Sequence, residues 1–91
     1  MNYEITKEWQ TLSAIMGNDY NAETQYRLHN NVELPAKLCL TEEETPTNDT
    51  IGRIYPAYSD IYLEAGLNPK IRVISSLGVQ FGYNIEITEV V

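Results

Sequence analysis

Cysteine and histidine are nearly missing from this sequence, each occurring once, as Cys39 and His29. A single cysteine makes no intrachain disulfide and no thiolate cage for a metal. One histidine cannot build a histidine metal site alone. Long apolar runs are also missing. None approaches the ~18 residues that a membrane-spanning helix needs, so no membrane partner is expected. The N-terminal stretch M-N-Y-E-I-T-K-E has no basic region followed by an apolar core. No secretory leader is read there, which points to synthesis in a cytoplasm. Positive charge is scarce: 6 Lys and Arg stand against 13 Asp and Glu, for a net charge of −7. Such a chain repels phosphate backbones, which argues against direct nucleic-acid binding. The charge serves solubility first, and it also fits a basic protein partner or mimicry of DNA.

Catalytic signatures are missing too. The chain holds no G-x-S-x-G, P-loop, H-E-x-x-H or C-x-x-C pattern. A serine nucleophile would need His29 as its base, yet His29 falls in a strand-like run with no acid near it in sequence. The acidic stretch 42–50, E-E-E-T-P-T-N-D-T, lacks the glycine turn of a calcium loop and reads as a solvated turn region. Asn48-Asp49-Thr50 matches a glycosylation sequon, which counts for little without a secretion signal. No catalytic, metal-binding or cofactor-binding residue is therefore expected, no cofactor either, and the chain is read as a non-enzyme.

What the sequence does contain is alternation. With 91 residues, 43% apolar and 21% charged, the chain has the balance of one globular domain spanning 1–91. The strongest pattern runs from Lys70 to Glu89. Ile71 and Val73 share one face there, with Arg72 and Ile74 on the other. After a glycine-containing turn, Tyr83, Ile85 and Ile87 alternate with Asn84, Glu86 and Thr88. The period of two predicts an antiparallel hairpin. A lone hairpin is marginal in water, so other strands must join it.

Upstream, residues 2–6 predict a strand with Tyr3 and Ile5 on one face. Residues 7–16 predict a short helix, with Thr6 as N-cap and Gly17 as stop. In residues 24–31, Tyr26 and Leu28 face in while Arg27 and His29 face out. Asn30-Asn31 ends that strand. Leu34 and Pro35 open the next, with Leu38 and Leu40 on one side and Lys37, Cys39 and Thr41 on the other. Cys39 reads as a small buried hydrophobe. Residues 51–55 predict another short strand. Residues 57–65 read as a strand at D-I-Y-L-E, with Ile61 and Leu63 on one side, although a helical turn that puts Tyr58, Ile61, Tyr62 and Ala65 on one face with Gly66 as stop also fits. Together these give about six to seven short strands with polar turns, hence an all-β fold: a small antiparallel β-sandwich or barrel with one short N-terminal helical segment.

Seven tyrosines against one phenylalanine complete the picture. Tyrosine suits both a small sheet and a wet assembly surface. Trp9 reads as a lid on one end of the sheet, or else as an interface anchor. Trp9, Tyr3, Tyr55, Tyr58 and Tyr62 are the candidate partner-binding residues, with Tyr20 a further tyrosine able to reach a partner.

In its runs of short strands (Tyr26 to Leu28, Leu38 to Leu40, Ile71 to Ile74 and Tyr83 to Ile87) and its tyrosine-rich, histidine-poor composition, the chain resembles the small β-sandwich virion accessory proteins of tailed bacteriophages. The resemblance covers general character and no aligned motif. It implies a non-enzymatic structural subunit of the virion, made in the host cytoplasm. Such a subunit binds capsid or tail proteins as a decoration, fibre-anchor or tail accessory subunit, as a homo-oligomer or in multiple copies. The alternative that the small size and acidity suggest is a phage-encoded inhibitor of a host defence or transcription enzyme, a DNA mimic among the options.

Overall fold

The computed structural model describes residues 1–75 and 83–90. Eight strands form: β1 (Asn2–Ile5), β2 (Gln10–Thr11), β3 (Tyr26–Asn30), β4 (Ala36–Thr41), β5 (Arg53–Tyr55), β6 (Asp60–Leu63), β7 (Lys70–Ser75) and β8 (Tyr83–Glu89). A short helix, α1 (Leu12–Met16), and a single 3₁₀ turn (Gly17–Asp19) lie between β2 and β3. The strands make two four-stranded sheets, in the orders β1-β8-β3-β6 and β2-β7-β4-β5. Every pairing is antiparallel. This is the expected all-β sandwich, with β2 as the strand that the sequence pattern did not show.

Alternation places the core. Tyr26, Leu28, Leu38, Leu40, Ile61, Leu63, Ile71, Val73, Ile85 and Ile87 are all buried in one cluster, with Ile5, Leu12 and Met16 closing it. Tyr3, Tyr55 and Tyr83 pack against that cluster from partly exposed positions. Each inward side chain of this kind contributes on the order of 1.5–3 kcal/mol by leaving water.

Two sequence expectations are corrected. The Lys70–Glu89 run is not a hairpin: β7 pairs with β2 and β4, whereas β8 pairs with β1 and β3. The turn expected between them, with Gly78 and Gly82, lies outside the described residues. Both runs do have the predicted faces. Period-two alternation fixes which side chains are buried, but it does not say which strand is the neighbour. The helix expected over 7–16 is the second correction, because it starts only at Leu12. Gln10 and Thr11 pair instead with Ile71 and Lys70. Thr11, not Thr6, is the N-cap, its Oγ1 accepting from the Ala14 N–H at 3.1 Å. Thr6 caps a local turn, with the Glu8 N–H donating to its Oγ1.

Among the connections made by described residues, only β4–β5 joins neighbours within a sheet; the others cross between sheets. The crossing from β5 to β6 is fixed by Asn30, which is fully buried at the end of β3. Its Nδ2 donates to the Pro56 carbonyl at 2.7 Å and to the Tyr55 carbonyl at 3.3 Å. Its Oδ1 accepts from the Val32 N–H at 2.8 Å. Its own N–H donates to the Ser59 carbonyl, and its carbonyl accepts from the Tyr58 N–H. One residue, through its side chain and its backbone, thus ties the end of β3 to the whole β5–β6 corner.

Asn30→Ala leaves two carbonyls and one N–H without this partner, each such loss costing roughly 1–3 kcal/mol when the group is buried. Urea denaturation of the variant is expected to show a loss of about 2–3 kcal/mol with the slope unchanged. A loss below about 0.5 kcal/mol, the range of an ordinary surface change, would contradict the clamp.

Candidate protein-binding surface

The aromatic residues divide into those the fold consumes and those it leaves out. Tyr3 lies on the inner side of β1, and its hydroxyl donates to Asp19 Oδ2 at 2.8 Å. That bond, aided by burial and the Asp19 charge, holds its phenol above the usual range. Tyr55 packs against the core beneath the Arg53 guanidinium, 5.2 Å from the ring centre. Tyr20 stacks on Tyr26 with centroids 6.0 Å apart. These three act in the fold rather than as free anchors.

Trp9 is also engaged, though not as a lid on a sheet end. It lies over the outer face of the second sheet, with its ring 4.6 Å from the Arg72 guanidinium. Its Nε1–H donates to the Thr47 carbonyl at 3.0 Å. Arg72 Nη2 donates to the Asn48 carbonyl at 3.0 Å and to the Thr50 carbonyl. The acidic stretch 42–50 is therefore pinned at 47–50, by its backbone oxygens, across strands β4 and β7. Arg72 becomes buried although its strand position faces outward. Cys39 stands opposite Arg72 in the register and is buried with it. Burial pushes the Cys39 thiol up, against the opposing pull of Arg72 and Lys37.

Tyr58 and Tyr62 remain in solvent, 60% and 67% exposed. Tyr62 stands on the outer face of β6, opposite Arg27. Tyr58 occupies the β5–β6 corner with φ +63°, a left-handed conformation costly for an aromatic residue. Its N–H to the Asn30 carbonyl and its hydroxyl to Glu33 Oε2 hold it there. The Glu33 bond and charge raise its phenol above the ordinary value.

Two residues that sequence reasoning passed over join them. Leu34 is 74% exposed and Ile54 43% exposed. With Val32, Ala36, Pro56 and Ala57 they line an apolar groove of about 380 Å³. A second depression, about 440 Å³ and of mixed polarity, opens between the edges of the two sheets, where Leu40, Ile61 and Leu63 meet Thr41, Glu42 and Arg53. Both lie where β5 and β6 end their respective sheets. Among the described residues nothing pairs with the outer sides of these two strands. One side of the sandwich therefore combines two open strand edges, an apolar groove, a depression of mixed polarity and two exposed tyrosines. An exposed apolar patch of this kind marks an interaction site.

The chemistry elsewhere is sparse. His29 Nδ1 lies 2.7 Å from Asp60 Oδ1 across the β3–β6 pair, so it has an acidic partner that sequence proximity did not show. Among the described residues no hydroxyl or thiol meets its other ring nitrogen. Arg27 and Glu86 approach to 3.8 Å on the same half-exposed face, a geometry worth little in water. Among the described residues no three His, Cys, Asp or Glu side chains come together to hold a metal ion. Among these residues no helix is long and apolar enough to cross a membrane. No family model, no curated protein sequence and no solved structure matches the chain.

Two measurements check this geometry. On alkaline titration followed residue by residue, the Tyr3 and Tyr58 phenols are expected to ionise above the ordinary range of a phenol. Glu33→Gln should bring Tyr58 back toward the ordinary value; unchanged titration would contradict the bond. Thiol labelling of Cys39 should be slow in the parent protein. Trp9→Ala should speed it at least about tenfold, as expected when local opening becomes easier by about 1.4 kcal/mol. An unaltered rate would mean that Trp9 does not hold the flap.

Proposed function

We propose that this chain is a non-enzymatic structural subunit of a bacteriophage virion that binds capsid or tail proteins through the β5–β6 side of its sandwich. The observation that carries the binding role is the meeting of open strand edges with exposed Tyr58, Tyr62, Leu34 and Ile54. Aromatic and apolar anchors in shallow grooves are the residues that dominate protein interfaces. The virion setting draws its support from the likeness in character to small phage sandwich proteins. Copies arrayed on a particle would each need only a modest interface, because many weak contacts act together.

Inhibition of a host enzyme by DNA mimicry has less support. A mimic needs carboxylates in an unbroken phosphate-like array. On the outer face of the first sheet, Asp60 and Glu86 are instead interleaved with His29 and Arg27.

Mass spectrometry of purified phage particles tests the assignment. The protein is expected in fixed proportion to the capsid or tail proteins. Its absence from particles would overturn the reading. In a complementation assay, Ile54→Asp with Tyr58→Ala is expected to abolish incorporation while leaving the isolated protein folded. Normal incorporation would place the contact on another face.

A further inference from the structure

The β6 edge has a phase that can be read from its neighbours. The Asn30 N–H donates to the Ser59 carbonyl, and the register runs from there through His29–Asp60 to Tyr26–Leu63. In an antiparallel ladder hydrogen-bonded pairs alternate. Ile61 and Leu63 therefore direct their backbone groups to β3, while Asp60 and Tyr62 direct theirs outward. Natural edges are commonly blunted by Lys, Pro or a bulge. The edge sequence D-I-Y-L-E from Asp60 to Glu64 has neither Lys nor Pro. Its inward residues, Ile61 and Leu63, line the depression between the sheets.

A second copy of this chain fits the edge poorly. The self-pairing that sets Tyr62 against Tyr62 puts Ile61 against Leu63, which is favourable. It also sets Asp60 against Glu64 at both ends, and like charges directly opposite are destabilising. Sliding by two residues leaves Ile61 opposite itself and Asp60 opposite Tyr62, with one apolar pair remaining. The charges that repel a copy would attract a base.

We propose that β6 accepts an extended segment of a partner protein by antiparallel strand addition. The segment carries apolar residues opposite Ile61 and Leu63, and Lys or Arg opposite Asp60 and Glu64. Main-chain bonds to Asp60 and Tyr62 supply affinity, and the alternate side chains supply specificity. The inward apolar residues fill the depression above Leu40, Leu63 and Leu67. The outward bases meet Glu64, which is exposed, and Asp60, which His29 flanks on its other side. This inference rests on the reading of the β5–β6 side as the binding surface, and it names the chemistry of the partner.

Fluorescence anisotropy with labelled extended peptides tests it. A peptide centred on Lys-Val-Tyr-Val-Lys is expected to bind at least about tenfold tighter than the same residues in scrambled order or than Glu-Val-Tyr-Val-Glu. Asp60→Lys with Glu64→Lys should reverse the preference between the basic and acidic peptides. Glu64→Lys alone, at an exposed site, should weaken the basic peptide without disturbing the fold. Tyr62→Pro removes an outward N–H and no ladder bond, and should abolish binding of either peptide. Equal binding of the scrambled peptide, or an unchanged preference after charge reversal, would overturn the proposal. If peptides fail while the protein is found in particles, strand addition falls and the virion role stands. If peptides bind as expected and particles lack the protein, the virion role falls.

Discussion

The buried amide of Asn30 is the constraint on which the working side of this protein depends. A polar side chain taken out of water is costly unless its donors and acceptor are met. Here the donors are met by the Tyr55 and Pro56 carbonyls at the entry to the β5–β6 corner and the acceptor by the Val32 N–H, so the cost of burial is offset only when the chain enters that corner at one particular place. The same corner carries the chain from the second sheet to the first and holds Tyr58 in a left-handed conformation. It leaves β5 and β6 as the outer strands of two different sheets on one side of the molecule. The apolar core keeps the sheets together, and Asn30 determines where they stay open.

The opposite treatment is given to the outer face of the second sheet. Segment 47–50 lies across it, held by Trp9 and by an arginine that would otherwise point into water. Arg72 has no carboxylate partner among the described residues. It is stabilised by two peptide carbonyls and by the face of an indole, an arrangement suited to the flat, weakly hydrated guanidinium. Cys39 is buried as a consequence. The part of that face around Cys39 and Arg72 is thereby covered by the chain itself, while the face of the first sheet carries charged pairs in solvent. Among the described residues no strand pairs with the outer edges of β5 and β6.

Much of the sheet architecture was legible in the sequence, because burial in a sandwich imposes a period of two on every strand. Tyr26 and Leu28, Ile61 and Leu63, Ile71 and Val73, and Ile85 and Ile87 all announced their inward faces. Strand partners were not legible. Lys70–Ser75 and Tyr83–Glu89 look like a hairpin because they are close in sequence, yet they belong to different sheets. Nothing in alternation distinguishes the two cases. Gln10–Thr11 is too short to show a period at all, and the three- and four-residue spacings around it mimicked a helix. On the proposed binding side, the exposed Tyr58 and Tyr62 were among the candidates named from residue type. Trp9, Tyr3 and Tyr55 could not be separated from them, because an aromatic ring suits a core margin as well as an interface. Leu34 and Ile54 gave no signal, since an exposed apolar residue in a strand-like run reads as buried until the sheet order is known.

On the proposed reading, strand edges are how this small domain acts. In the strand-addition proposal, the acids at Asp60 and Glu64 discourage pairing between copies and favour a basic partner. The central claim is that β6 is an open edge waiting for a strand, and residue-resolved amide hydrogen exchange tests it most directly. In the free protein, Asp60 and Tyr62 amides should exchange fast while Ile61 and Leu63, bonded to β3, exchange slowly. Once the partner is bound, all four should be slow. Protection of Tyr62 equal to that of Ile61 in the free monomer, or fast exchange persisting in the complex, would contradict the account.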